Sequence, residues 1–371
     1  MNFDFSDEQK LLQSTARDFL ERDAPLEVCR RVLESDDEAY AADVWKATAQ
    51  LGWQGTAIPE AHGGAGFGYL ELALIAEEVG RSLAPIPFGS SVYLATEAVL
   101  QGGSPAQQAA WLPGLASGAS IGTLAVAEGP GRVRAESIGT TFRDGVVVGS
   151  KRAVPDGAAA DHAIVAVCAG DGVALVRVDL RAEGVKVEVV PSIDPSRSNA
   201  TLHFERAAAE RLEAVADGFS LLEQVLHRAA VLQAFEQIGG AQRALDITRA
   251  FTLERFAFGR PIASFQALKH RMADIFTDIE IARSNAFYGA WALASNAPEL
   301  GEAACSARIT ASGAFANATR EMIQMHGGVG YTWEYDCHLF YRRAQWLSAS
   351  LGPASEWRER LIGHLTAEAV A

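Results

Sequence analysis

Two stretches restrict what this chain can fold into more than any others. "SLLEQVLHRAAVLQAFEQIGGAQRALDITRAFTLERFAF", Ser220 to Phe258, and "FQALKHRMADIFTDIEIARSNAFYGAWALAS", Phe265 to Ser295, contain scarcely a residue that breaks a helix. Runs of that length read as unusually long helices. Their apolar residues fall nearly all round rather than on one stripe. Such a helix has to be buried in a bundle, here also against another subunit.

The texture upstream is different. "GTLAVAEG", "TTFRDGVVVGSK", "DHAIVAVCAGDGVALVRVDL" and "GVKVEVV" are short β-branched runs. Arg143-Asp144-Gly145 and Gly170-Asp171-Gly172 are hairpin signals between them. The first block is helical again. Ser6 with Gln9 spells a capping box before Leu11, Leu12, Phe19 and Leu20 at helical spacing. "AADVWKATAQLGW" and "YLELALIAEEVGRSL" follow as helices, separated by the glycine-rich loop "IPEAHGGAGFG". Ser104 caps a further helix with Pro105 in its first turn. The expectation is an α+β multidomain chain: an N-terminal helical domain over 1–120, a middle antiparallel β-barrel or sandwich over 121–212, and a C-terminal helical bundle over 213–371.

Composition removes several function classes. The 371 residues are 49% hydrophobic and 21% charged, enough for a sizeable core. A formal charge of −14 repels a polyanion, so no nucleic-acid partner is expected. No run reaches the length of a membrane span. "MNFDFSDEQKLL" is acidic and amphipathic and does not read as a signal peptide. The four cysteines, Cys29, Cys168, Cys305 and Cys337, form no CxxC pair and read as core packing. A reduced cytoplasm is the expected location. The histidines lack ligand spacing, so no metal site is expected.

At "RFAFGRPIASFQALKHRMADI" the chain resembles the acyl-CoA dehydrogenases, a flavoprotein family. The resemblance extends to "IPEAHGGAGFG", to "LAVAEGPG" as the first flavin strand, and to "QMHGGVGYTWEYD" as a C-terminal glycine motif. It implies a helical domain, a β-barrel domain and a C-terminal four-helix bundle. It also implies a dimer or tetramer with FAD at the subunit interface. In the family, a glutamate takes the α-proton of the thioester and the β-hydride passes to flavin N5. Carried over by motif, the FAD-binding residues are Arg255, Phe258, Phe265, Gln266, Gln324, Gly327 and Gly328, with Val126 and Ala127 on the flavin strand. A guanidinium suits a pyrophosphate, and adjacent glycines let a backbone approach a dinucleotide closely. On the residues alone, Arg255 reads first as a surface ion pair near a helix end and Gly327-Gly328 as a plain helix stop.

The departures carry as much information. The resemblance puts the family's glutamate on Leu351, and its alternative seat, on the helix before the arginine motif, near Ala229. Neither residue accepts a proton, and removing a weakly acidic α-proton needs a positioned base. No catalytic residue is therefore assigned. Glu356, Glu334 and Asp336 are the nearest substitutes, each also readable as a solvated or structural acid. The family's Thr-Glu-Pro-x-x-Gly-Ser-Asp shrinks to "AVAEGPGRV", and its Trp-Ile-Thr falls on Ala153 to Pro155, where proline has neither N–H nor hydroxyl. What reaches across to a neighbour's FAD is kept, and what holds the chain's own flavin ring is weakened. "GYTWEYDCHLFYRRA" resembles a subgroup of two-component enzymes acting on bulky thioesters, steroid side chains included. The reading that follows is a subunit working with a related chain on an acyl-CoA, with an electron-transferring flavoprotein as acceptor. A homo-oligomeric flavoenzyme of altered chemistry and a non-catalytic acyl-CoA-binding scaffold are the alternatives. Arg132 with Arg134, and His227 with Arg228, are candidates for CoA phosphates or else solvated surface charges.

Overall fold

The computed structural model describes residues 5–170 and 172–368. The chain divides into two compact units, the first Met1–Arg30, Ala73–Ala84 and Ala230–Ala371, the second Arg31–Leu72 and Pro85–Ala229. Three of the divisions fall inside helices, α2, α4 and α7 below.

The helices of the N-terminal part are α1 (Asp7–Asp23), α2 (Leu26–Glu34), α3 (Ala42–Gln50), α4 (Tyr69–Arg81), α5 (Glu97–Gly102) and α6 (Pro105–Ala116). Both caps expected from sequence are present. Ser6 accepts from the Gln9 N–H and Ser104 from the Gln107 N–H, each glutamine side chain returning the bond. A π-helical stretch, Gly89–Thr96, runs directly into α5.

The second unit is built around a seven-stranded sheet. Its strands are β1 (Gly122–Ala125), β2 (Thr141–Arg143), β3 (Val146–Pro155), β4 (His162–Ala169), β5 (Gly172–Asp179), β6 (Val185–Val190) and β7 (Asn199–Arg211). The pairings β4–β2–β3–β7–β5 return to β4, so the sheet closes into a barrel, with β1 added on β4 and β6 on β7. Val147, Val154, Val165, Val176, Leu202 and Phe204 fill it. The turn at Asp144 (φ 50) and Gly145 (φ 76) has two left-handed residues, the geometry that matches strand twist in a two-residue hairpin. Asp171, in the second hairpin signal, lies outside the described residues, although β4 and β5 around it pair antiparallel. Two expectations need correcting. The sheet is mixed, because β1 runs parallel to β4. Cys168 is exposed near the end of β4 rather than packed in the core; the strand is buried on both faces from His162 to Val167 and reaches the surface only here.

The first unit holds the C-terminal bundle: α7 (Gly218–Glu254, from Ala230 onward), α8 (Gln266–Ala294), α9 (Leu300–His326), α10 (Cys337–Ser350) and α11 (Ala354–Glu368). Between α7 and α8 lies a small hairpin, β8 (Phe256–Ala257) and β9 (Arg260–Pro261). A Cβ on Gly80 of α4 would sit 1.8 Å from the Glu236 carbonyl oxygen, and one on Gly239 of α7 1.8 Å from that of Glu77. The two helices therefore touch backbone to backbone where no side chain fits. Among the described residues, no helix is long and apolar enough to cross a membrane.

Candidate functional site

In the first unit the motif residues sit where α7 and α9 end. The Arg255 N–H donates to the Phe251 carbonyl (2.9 Å), prolonging the last helical turn, and its own carbonyl accepts from the Ile262 N–H (2.8 Å). Arg255 is thus fixed at the root of the β8–β9 hairpin with its side chain exposed and no partner among the described residues. The hairpin turns through Phe258 (φ 53) and Gly259 (φ 78), leaving Phe258 95% exposed. Its ring meets Phe265 edge-on at 6.2 Å, and the Arg260 guanidinium covers Phe265 at 4.1 Å. Gln266 opens α8, exposed.

Gln324, Gly327 and Gly328 are also exposed. A Cβ on either glycine would meet no protein atom within 4 Å. Gly327 closes α9 at a positive φ (64) that itself favours glycine, whereas Gly328 has no such internal reason, so its bare backbone is available to a ligand. His326, directly before them, is a support the sequence reading missed. It is buried, its Nδ1 lies 2.7 Å from the Met322 carbonyl oxygen, and its ring stacks on Phe251 at 4.1 Å. Tyr335 meets that ring edge-on. A histidine closing a helix just before paired glycines was the available signal. This face, with an open cation, exposed aromatics and open glycines, fits the pyrophosphate and nucleoside end of a dinucleotide.

The flavin-strand segment in the second unit is already engaged. The Val126 carbonyl accepts from Lys151 Nζ (3.0 Å), and the Ala127 carbonyl from the Arg152 N–H (2.7 Å). Glu128 accepts from Lys151 Nζ (2.6 Å) and from the N–H groups of Gly139 and Thr140 (2.9 Å each). Burial opposes its charge, but these donors win, and the carboxyl is pushed down to about 2. Ala153, where the family's tryptophan falls, is an exposed residue at φ 51 in an irregularity of the β3–β7 pairing. It offers no ring, and Pro155 offers no donor. These residues do not fit the job of gripping a flavin ring.

Neither base position is open. Leu351 follows α10 at 7% exposure, its carbonyl accepting from the Trp357 indole N–H (2.9 Å). Ala229 is 1% exposed on α7. Of the substitute acids, Glu356 pairs with Arg360 at 3.0 Å and Asp336 with Arg30 at 2.7 Å, while Glu334 is exposed. Arg132 and Arg134 are exposed, as solvated charges would be. Arg228 is not a surface charge: it is buried, with Nε donating to Glu97 Oε2 (2.7 Å). Glu97 and Tyr69, distant along the chain, meet this charge in the interior, where local sequence pattern assigns it to solvent.

Comparison with known proteins agrees with this arrangement. The family models "Acyl-CoA dehydrogenase, N-terminal domain" and "Acyl-CoA dehydrogenase, C-terminal domain" match residues 6–119 and 216–363. "Acyl-CoA dehydrogenase IpdE2" of Mycolicibacterium smegmatis is 34% identical over 96% of this chain and 98% of its own. Among solved structures, a chain of the "Tcur3481-Tcur3483 steroid ACAD G363A variant" superposes with a TM-score of 0.89 at 30% identity, covering 98% of this chain and 99% of that one. A chain of the ChsE4-ChsE5 complex from Mycobacterium tuberculosis reaches 0.90 at 25% identity, covering 99% of each. With helices, barrel and helices in this order, and with matches over nearly its whole length, the chain belongs to the acyl-CoA dehydrogenases, a family of FAD-dependent oxidoreductases.

Proposed function

We propose that this chain is a base-less subunit of an acyl-CoA dehydrogenase, completing the FAD site of a related chain that carries the glutamate. The observation that carries the reading is a division of exposure. Arg255, Phe258, Gln324, Gly327 and Gly328 stand open on the surface, whereas Leu351 and Ala229 are buried hydrocarbon. A site serving its own chain would need the opposite at the base.

In the complex, Arg255 would hold the pyrophosphate through charge-assisted bonds. Gly327 and Gly328 would let the backbone approach the nucleoside end, with Gln324 donating to it. Phe258, Phe265 and Gln266 would shield that contact from water. FAD, when bound, supplies the acceptor for the substrate's β-hydride. The α-proton goes to the related chain's carboxylate. We infer a bulky acyl-CoA, steroid-type, as substrate, because the 30%-identical structure is that of a steroid ACAD. An electron-transferring flavoprotein is the proposed acceptor. All four cysteines are free thiols, in keeping with work in a reducing cytoplasm.

The test is coexpression with a related chain that bears the glutamate, followed by native mass, FAD content and turnover. The expected result is one FAD per pair of unlike chains, with the isolated chain slower by about 10²- to 10⁴-fold, the usual worth of a general base. Full desaturation by the isolated chain, or a homotetramer holding four flavins, would overturn the reading.

A further inference from the structure

Arg228 has a partner set that the proposed function does not use. It lies next to Ala229 in the second unit, on the helix where the family's alternative base would meet the substrate's α-carbon. Its guanidinium bonds to Glu97 of α5 and lies over the Tyr69 ring of α4 at 4.7 Å. Glu97 is 1% exposed, and the π-helical stretch Gly89–Thr96 delivers it inward. π-Helical turns are uncommon and tend to mark functional positions. Burial pushes the Tyr69 phenol above its ordinary range, with the Glu97 charge adding to the shift. No buried side-chain polar atom of these three residues lacks a hydrogen-bond partner. A ligand site keeps some buried donor or acceptor unspent, and none of the fully buried polar atoms of these three residues is left so. An ion pair closed on itself is costly to open, because each charge left alone in a low-dielectric interior is unstable.

The other base position has a separate polar set within the first unit, one that is not fully closed, since the buried Arg308 Nε has no hydrogen-bond partner among the described residues. Beside Leu351, Gln233 donates its amide to the Leu347 carbonyl (2.8 Å) and to Ser350 Oγ (2.9 Å). Arg308 Nη2 donates to the same carbonyl (2.5 Å), and its Nη1 to Gln237 Oε1 (2.9 Å).

We propose that Tyr69, Glu97 and Arg228 form a polar plug that keeps an acyl chain out of this subunit, so that only the related chain takes up the thioester. The proposal rests on the base-less-subunit reading and adds the residues that close the unused site. It predicts more than the loss of a base: this half of the pair does not bind the acyl group at all.

The test is titration of the FAD-loaded complex with 3-thiaoctanoyl-CoA, an analogue with sulfur in place of the β-carbon that cannot be desaturated. A variant carrying Tyr69→Phe, Glu97→Ala and Arg228→Ala removes the whole polar set together, so no charge is stranded, and leaves an apolar space. The expected result is one more analogue bound per pair in the variant than in the parent. Equal stoichiometry in the two proteins, or two analogues per pair in the parent, overturns the plug. Amide hydrogen exchange on the parent complex needs no variant to fold. Amides of 97–102 and 218–229 are expected to be unchanged by the analogue, and protection there overturns the proposal. Turnover by the isolated chain is a separate measurement, so failure of the base-less reading and failure of the plug are told apart.

Discussion

Phe258 occupies a backbone conformation that bulky residues avoid, and its ring is almost wholly in water. Within the single chain it collects strain of about 1 kcal/mol and little burial in return. Phe258→Asn should therefore leave the denaturation midpoint of the isolated chain unchanged or slightly raised, since Asn accepts positive φ. The same change should weaken FAD retention by the complex by about tenfold, the worth of roughly 1.4 kcal/mol of lost ring contact. Measuring both on one variant separates a residue kept for a ligand from one kept for folding. A fall in stability with no change in FAD retention would assign Phe258 to the fold. The position was legible in sequence through its motif. The strain was not, because Phe258-Gly259 carries no turn residue that demands a left-handed first position.

At the scale of elements, local chemistry was legible where a few consecutive residues decide the outcome. Ser104 caps its helix as expected, Gln107 completes a capping box with it, and the Gln107 amide also reaches Glu210 Oε1 and the Arg211 carbonyl (2.8 Å each). Ser104→Ala should cost about 1 kcal/mol, read as a shift of the chemical denaturation midpoint at unchanged slope. The Asp144-Gly145 turn and the long helices were legible for the same reason. Elements fixed by distant partners were not. β1 lies parallel to β4, and no hairpin signal can announce a pairing between strands so far apart in sequence. The Gly89–Thr96 stretch has no composition that separates a π-helix from an α-helix. Its backbone follows what it is packed against, β1 among others.

Across the whole molecule, the least legible component is buried charge. Asp156 pairs with Arg197 at 2.8 Å, both nearly inaccessible, and Lys151 with Glu128 at 2.6 Å. Hydrophobic periodicity reports which face is covered, not which ions meet beneath it. The buried set gives the fold an acid-sensitive side. Burial first, and then the Arg177 charge, push His162 down to about 4 from 6.5, with Asp161 and Asp179 opposing. Its Nδ1 lies 3.1 Å from Ser120 Oγ, and its buried Nε2 has no hydrogen-bond partner among the described residues. The unfolded chain therefore binds the extra proton first, and stability falls as pH drops from 6.5 to 4. A shift of that size corresponds to about 3 kcal/mol. His162→Gln should flatten thermal stability over that window, while the stability that Glu128 contributes is lost only as pH falls from 4.5 towards about 2. Parallel curves for the two proteins would show that His162 does not set the slope.

The aromatics left in water at the hairpin and after the glycine pair, Phe256, Phe258, Tyr331, Trp333 and Tyr335, also bear on how a cell must make this protein. On the proposed pairing with a related chain, a copy synthesised without its counterpart presents those rings to chaperones, proteases and other orphan copies. Matched dosage of the two chains, as translation from adjacent reading frames would give, then becomes a requirement written into the surface itself.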